Sequence, residues 1–244
     1  MRNILVTGGS RGLGLGIAQQ LASAGYRVIA LARKLNKNLA AAIEGVTRSK
    51  QGELYFVPFD LSEIEAIPAL IKKIRKDFGP IYGLVNNAAI GTDGVLALMH
   101  NSQIEQLVRV NTVSPIVLTK YVVRSMLSEG RGRIVNIASI IGFTGYRGLS
   151  VYGATKASML GFTRSLAREV GSHGVNVNAV APGFIETDMT QSLGDEERGQ
   201  IRRRSALKRL PDIADIANAV EFLLGDKAKN ITGTVLTVDA GSTA

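Results

Sequence analysis

The stretch Met1-Arg-Asn-Ile4-Leu-Val-Thr7-Gly8-Gly9-Ser10-Arg11-Gly12-Leu13-Gly14 decides how the rest of the chain is read. Ile4–Thr7 is a short, mostly apolar run that reads as a strand, and a glycine-rich loop follows it directly. From Leu13 to Ala24 the apolar residues take helical spacing. Glycines permit a tight turn and let backbone N–H groups approach a pyrophosphate, and the helix N-terminus adds a favourable dipole. Glycine clusters are common in loops. This one gains its meaning from lying between a first strand and a first helix. The expected contacts are Gly8, Ser10, Arg11, Gly12, Leu13 and Gly14.

Outward from this loop the same alternation continues. Further strands are predicted at Arg27–Leu31, Leu54–Phe59, Ile81–Asn86, Arg133–Ala138, Asn176–Ala181 and Val235–Val238. Helical spacing covers Glu63–Phe78, Ser102–Glu129, Val151–Ser172 and Ile213–Leu224, with a weaker pattern over Asn36–Lys50. Several strands are nearly all apolar, as expected where helices cover both sheet faces. Repeated βα units imply parallel pairing with right-handed crossovers. No linker or repeat divides the chain. The expectation is one α/β domain over residues 1–244. It is a doubly wound, Rossmann-like parallel sheet of about seven strands, with its ligand at the carboxyl ends of the strands.

The end of the second strand selects the dinucleotide. A carboxylate there would bind a ribose 2′-hydroxyl and repel a 2′-phosphate. The chain has Leu31-Ala32-Arg33-Lys34 and no acid. Arg33 could pair with the phosphate through a charge-assisted bond, with Arg11 approaching from the other side. Two ordinary surface arginines are the alternative. Asp60, beside Leu61 after the third strand, could accept from an adenine amino group and also cap the next helix. The expected cofactor is NADPH/NADP.

Tyr152 and Lys156 are four apart on a predicted helix and share a face. Alone, that spacing is common by chance. Ser139 follows the fifth strand, at the end where a ligand should lie, and Asn111 falls within the long helix, where a polar residue is ordinarily solvated or a packing feature. With Asn86-Asn87-Ala88-Ala89 and Pro182-Gly183, these residues span the chain nearly end to end, and their order and spacing resemble the short-chain dehydrogenase/reductase family. The resemblance implies that Ser139 holds the substrate carbonyl and Tyr152 donates a proton to the developing alkoxide. An unperturbed tyrosine has a pKa of about 10. Lys156 is expected to lower it and to bind the nicotinamide ribose, while Asn111 holds a water that relays protons. Asn87 and Ala88 would lie along the cofactor. Pro182, Gly183 and Ile185 would face the nicotinamide, and Thr187 would bond its amide. The family usually has Gly where this chain has Ala89.

Within the family, Gly161–Thr190 and Ile231–Gly241 resemble the 3-oxoacyl-[acyl-carrier-protein] reductases. That implies a β-keto thioester on an acidic carrier protein, and a homotetramer packed through the helices that start near Ser102 and Val151. The net charge of +9 fits such a partner. Solubility alone is the plainer account of that charge. Arg124, Arg131, Arg133, Arg164 and Arg168 are candidates for a docking face. His173 falls near an expected docking position but is a weaker cation there, and both it and His100 can equally be ordinary surface residues.

The segment 187–209 breaks the alternation and is polar. It reads as a solvated surface helix or, because it follows a strand end, as a substrate lid, and the lid is the expectation. No cysteine is present, so disulfides and thiolate chemistry are excluded. Basic residues are not interleaved with stacking rings, so nucleic acid is not expected as a partner. No apolar run approaches the roughly 18 residues of a membrane span. The apolar part of the N-terminus is too short for a signal peptide, so a cytoplasmic protein is expected. Two other readings remain open: a short-chain reductase of a sugar, steroid or small ketone, since specificity lies in loops such as Ile140–Ser150, and a dinucleotide-binding scaffold without catalysis. An intact set of catalytic residues argues against the scaffold.

Overall fold

The computed structural model describes residues 1–185 and 195–244. Its elements in chain order are β1 (Asn3–Thr7), α1 (Gly12–Ser23), β2 (Arg27–Ala32), α2 (Lys37–Ser49), β3 (Glu53–Pro58), α3 (Ile67–Phe78), β4 (Ile81–Asn86), α4 (Asn101–Val108), α5 (Ser114–Glu129), β5 (Gly132–Ile137), α6 (Ser150–Val170), β6 (Val175–Pro182), α7 (Asp195–Arg204), α8 (Ile213–Leu224) and β7 (Val235–Val238). The strands form one parallel sheet in the order β3-β2-β1-β4-β5-β6-β7. This is the expected doubly wound, Rossmann-like architecture, and its order reverses between β1 and β4.

Alternation along the strands feeds two cores. Ile4 and Val6 of β1 pack with Ile17 and Leu21 of α1, Leu39 of α2 and Val220 of α8. Leu5, between them, points the other way, to Ile71 of α3, Leu118 and Val122 of α5, and Leu166 of α6. Both faces are therefore apolar, which is why the central strands lack a polar side. Gly83 sits in β4 where a side chain would meet Ile4 Cδ1 at 2.4 Å.

Two expectations are corrected, and a third falls partly outside the described residues. The helix predicted over Ser102–Glu129 is two helices joined by a wider π turn at Arg109–Val113, and Asn111 in that turn is buried, which fits the packing alternative for a polar residue there. Pro115 supplies the reason: it carries no N–H for the carbonyl four residues earlier, that of Asn111. The five arginines named for docking do not share one exposed surface. Arg133 is buried in β5, donating to Gly132 O at 2.8 Å with its guanidinium 5.9 Å from the Tyr82 ring. The expected lid is only partly described. Residues 187–194 lie outside the described residues, and 195–204 are helix α7.

Candidate active site

The strand ends around the β1/β4 reversal are fastened to one another. Thr7 Oγ1 accepts from the N–H groups of Asn87 and Ala88, both at 2.9 Å, and donates to Val85 O at 3.3 Å. Asn87 Nδ2 donates to Thr7 O at 2.9 Å. The glycine loop closes over this knot. Gly8 has φ of +68°, a backbone conformation favouring glycine. A Cβ on Gly14 would lie 2.3 Å from Gly8 O and 2.4 Å from Asn87 Nδ2. The loop thus has room for backbone only, as the cradle of a pyrophosphate needs. Ser10, Arg11, Gly12 and Leu13 lie between Gly8 and Gly14 at the start of α1, and Leu13 packs its side chain onto the core. Ala89 does not have a positive φ, so its methyl fits an ordinary backbone conformation.

A connection not anticipated from sequence joins this loop to the end of β2. Asn36 Nδ2 donates to Ser10 O at 2.8 Å, while its Oδ1 accepts from Leu39 N and caps α2. The loop bearing Arg11 and the loop bearing Arg33 are therefore tied together. Arg33 is exposed. Its charge helps hold the Asp60 carboxyl below its ordinary pKa, after the larger effect of the Ser62 backbone N–H. Asp60 Oδ1 accepts from Ser62 N at 2.9 Å and Oγ at 2.8 Å in a local turn, and the expected helix cap is corrected: Glu63 and Ala66 stand at the N-cap positions of the two helical segments that follow. Leu61, next to it, is half-buried against the α3 side of the core. Arg11, Arg33 and Asp60 thus stand at consecutive strand ends, with no carboxylate following β2.

At β6 the structure places Pro182 and Gly183 beside β7, with Gly183 N donating to Val238 O at 2.9 Å. A Cβ on Gly183 would lie 2.7 Å from Asp239 Cα, so the backbone must pass there bare. Ile185 is buried. Thr187 lies outside the described residues.

The reacting groups converge from α6, the π turn and the end of β5. Ser139 caps a short 3₁₀ turn, its Oγ accepting from Ile141 N at 3.2 Å, and its hydroxyl is the neighbour that pulls the Tyr152 pKa down. Lys156 is buried, donates to Ile137 O at 2.9 Å and lies 5.7 Å from the Tyr152 ring centroid. Burial pushes the Tyr152 phenol up to about 12, opposed only by Ser139, and pulls the Lys156 ammonium down to about 8. The expected lowering of Tyr152 by Lys156 is therefore not what this form of the site shows. Burial disfavours charge on both groups, and the ammonium is turned to a carbonyl.

Asn111 is committed through its side chain. Its Oδ1 accepts from Ile90 N at 2.9 Å, and its Nδ2 donates to Ile90 O at 2.9 Å and to Thr155 Oγ1 at 3.3 Å. Thr155 in turn donates to Tyr152 O at 2.7 Å. Pro115 offers no N–H to the Asn111 carbonyl, so that oxygen has no donor four residues on. Behind the site, Asn86 Nδ2 donates to Asn136 Oδ1 (2.8 Å) and Thr119 Oγ1 (2.9 Å), and Asn136 Nδ2 donates to Thr163 Oγ1 (2.9 Å). This buried network ties β4 and β5 to α5 and α6.

The comparisons agree with this geometry. The short chain dehydrogenase family model matches residues 2–198. The 3-oxoacyl-[acyl-carrier-protein] reductase FabG of Escherichia coli (strain K12) is 43% identical over 97% of this chain and 95% of that protein. The reductase of the same name from Staphylococcus epidermidis is 39% identical over 98% of each. Among solved structures, a short chain dehydrogenase from Burkholderia cenocepacia J2315 in complex with NADP superposes with a TM-score of 0.92, at 34% identity, over 100% of this chain and 98% of that one. With sheet order, glycine cradle, Tyr152 and buried Lys156 all in place, the match in sequence and in shape has one meaning: the chain belongs to the short chain dehydrogenase family.

Proposed function

We propose that the protein is an NADPH-dependent oxidoreductase that reduces a 3-oxoacyl thioester, carried on acyl-carrier protein, to the 3-hydroxyacyl product of fatty acid synthesis. One observation carries the choice of substrate: identity of about 40% to reductases of that name over nearly the whole of both chains. The activity itself, carbonyl reduction with NADP, also has the support of Ser139, Tyr152 and Lys156 meeting at the strand ends.

When bound, NADPH supplies the hydride. Gly8, Ser10, Arg11, Gly12, Leu13 and Gly14 would hold the pyrophosphate side, and Arg11 and Arg33 the 2′-phosphate. Asp60 and Leu61 would face the adenine, Asn87 and Ala88 the middle of the dinucleotide, and Pro182, Gly183, Ile185 and Thr187 the nicotinamide end. Ser139 Oγ donates to the substrate carbonyl oxygen. Tyr152 Oη stays protonated at neutral pH and passes that proton to the same oxygen as negative charge develops there. Lys156 binds the nicotinamide ribose and favours the phenolate left behind. The Asn111 carbonyl holds the water that returns a proton to Lys156 and so to Tyr152.

The partners are an acidic carrier protein and three further copies of this chain, in the cytoplasm. Exposed Val108 and Val113 near the π turn, and exposed Ala154, Ala157 and Gly161 along α6, offer apolar, small-residue faces for tetramer contacts. No helix among the described residues is long and apolar enough to cross a membrane. The reading is tested by following NADPH oxidation with acetoacetyl-carrier protein against small ketones and sugars. Turnover of the thioester well above the others is expected. Turnover of a sugar or ketone alone would make the chain a different reductase of the same family.

A further inference from the structure

The sequence from Arg202 to Arg209 contains five cations in eight residues, Arg202, Arg203, Arg204, Lys208 and Arg209. All five are exposed. Among the described residues none of them forms an ion pair. A single cation in the last turn of α7 would satisfy the helix dipole, a gain of roughly 0.3–1 kcal/mol. Three adjacent like charges fan over about 200° of the helix at its usual pitch and repel one another, so dipole compensation does not account for them.

The segment is held rigidly and in one place. Ser205 is fully buried, its Oγ 2.9 Å from Arg202 O and 2.8 Å from Arg209 O. Lys208 Nζ donates to Arg203 O at 2.8 Å. Ala206 N donates to Gly241 O (3.2 Å) and Leu207 N to Ala240 O (3.1 Å). These anchors follow Asp239, which packs against Gly183 at the carboxyl end of β6. A few residues on, Ile213 meets Gly16 of α1. The cationic segment therefore runs over the carboxyl side of the sheet, the side on which Ser139, Tyr152 and Lys156 lie.

Arg11, Arg33 and Arg147 are exposed on that side too, but on separate loops, whereas Arg131, Arg164 and Arg168, first named for docking, are not so placed. Arg131 precedes β5 and so lies at the amino end of the strands. Arg164 and Arg168 follow Tyr152 along α6 by roughly 18 and 24 Å at 1.5 Å per residue, away from the site. A carrier protein must present its thioester at the carboxyl side.

We propose that Arg202, Arg203, Arg204, Lys208 and Arg209 form the surface on which the acidic carrier protein docks while its thioester enters the site. The proposal rests on the functional reading above. Complementary charge at such a rim speeds encounter and weakens with salt.

The test compares acetoacetyl-carrier protein with acetoacetyl-N-acetylcysteamine, which has the thioester but no protein. In the variant R202E/R203E/R204E, KM for the carrier substrate is expected to rise about tenfold. Its salt dependence should flatten, while kcat/KM for the small thioester stays within roughly twofold. The variant R164E/R168E should change neither. An unchanged KM for the carrier substrate overturns the proposal, as does an equal loss on both substrates. Retention of a short RNA or of anionic phosphatidylglycerol vesicles through these arginines, with the carrier KM unaffected, overturns it too. A wild-type enzyme that reduces neither thioester overturns the functional reading, and the docking surface falls with it.

Discussion

Tyr152 and Lys156 each sit where burial favours the neutral form, at about 12 and about 8. The consequences differ in sign. A phenol with a raised pKa keeps its proton throughout the neutral range and is a ready donor for reduction. A lysine with a lowered pKa is cationic below about pH 8 and loses its charge as pH rises through that value. If Lys156 returns the proton to Tyr152, kcat/KM for NADPH, which reports groups of the free enzyme, should be flat at low pH and fall above pH 8. A profile still level at pH 10 would show that Lys156 plays no such part. For Tyr152→Phe, the same donor role predicts a loss of roughly 10²–10⁴ in kcat, with NADPH affinity nearly unchanged in a fluorescence titration. Residual turnover near wild type would remove Tyr152 from the mechanism.

At the scale of elements, the least legible part of the chain was the turn that carries Asn111. Apolar spacing runs unbroken from Ser102 to Glu129, so periodicity alone predicts one helix. The signal for the break was present in Pro115, whose missing donor falls opposite Asn111. Ser139, Tyr152 and the glycine loop were legible because strand ends and helical spacing place them without any tertiary information. Asn36, Thr155 and Thr7 were not, because their partners Ser10, Asn111 and Asn87 are distant in sequence or across a helix junction, and no local pattern encodes those bonds. Asn36 had a partial signal as the residue opening a helical stretch. The two halves of Asn111 can be separated. Asn111→Leu leaves Ile90 N–H and C=O unpaired and should destabilise the protein by about 2–4 kcal/mol in urea unfolding. Pro115→Ala keeps those side-chain bonds but offers the Asn111 carbonyl an N–H. It should leave stability equal or higher while lowering kcat. Full activity in Pro115→Ala would place the relay water elsewhere.

On the scale of the whole molecule, the proposed cofactor site is assembled from separate pieces of one sheet. β1 with α1, the loop after β2, and the ends of β3, β4 and β6 each contribute, and side-chain bonds of Thr7, Asn87 and Asn36 add to the sheet's own ladder in pinning neighbouring pieces together. A ligand that touches all of them opposes any opening of the sheet at the β1/β4 reversal, so its binding energy becomes folding energy. At a hundredfold excess over Kd this is about 2.7 kcal/mol. For a chain of this size that raises the thermal midpoint by roughly 5–10 °C. NADH lacks the 2′-phosphate proposed to meet Arg11 and Arg33, so at the same concentration NADH should give a clearly smaller shift. In Gly14→Ala the new methyl would strike Gly8 O and Asn87 Nδ2. That variant should melt lower without ligand and show little rise with NADPH. Melting curves of both proteins with each nucleotide decide the matter. Equal shifts for NADH and NADPH in the wild type would mean that the two arginines do not read the 2′-phosphate, and an undiminished shift in Gly14→Ala would mean that the pyrophosphate is not cradled by this loop.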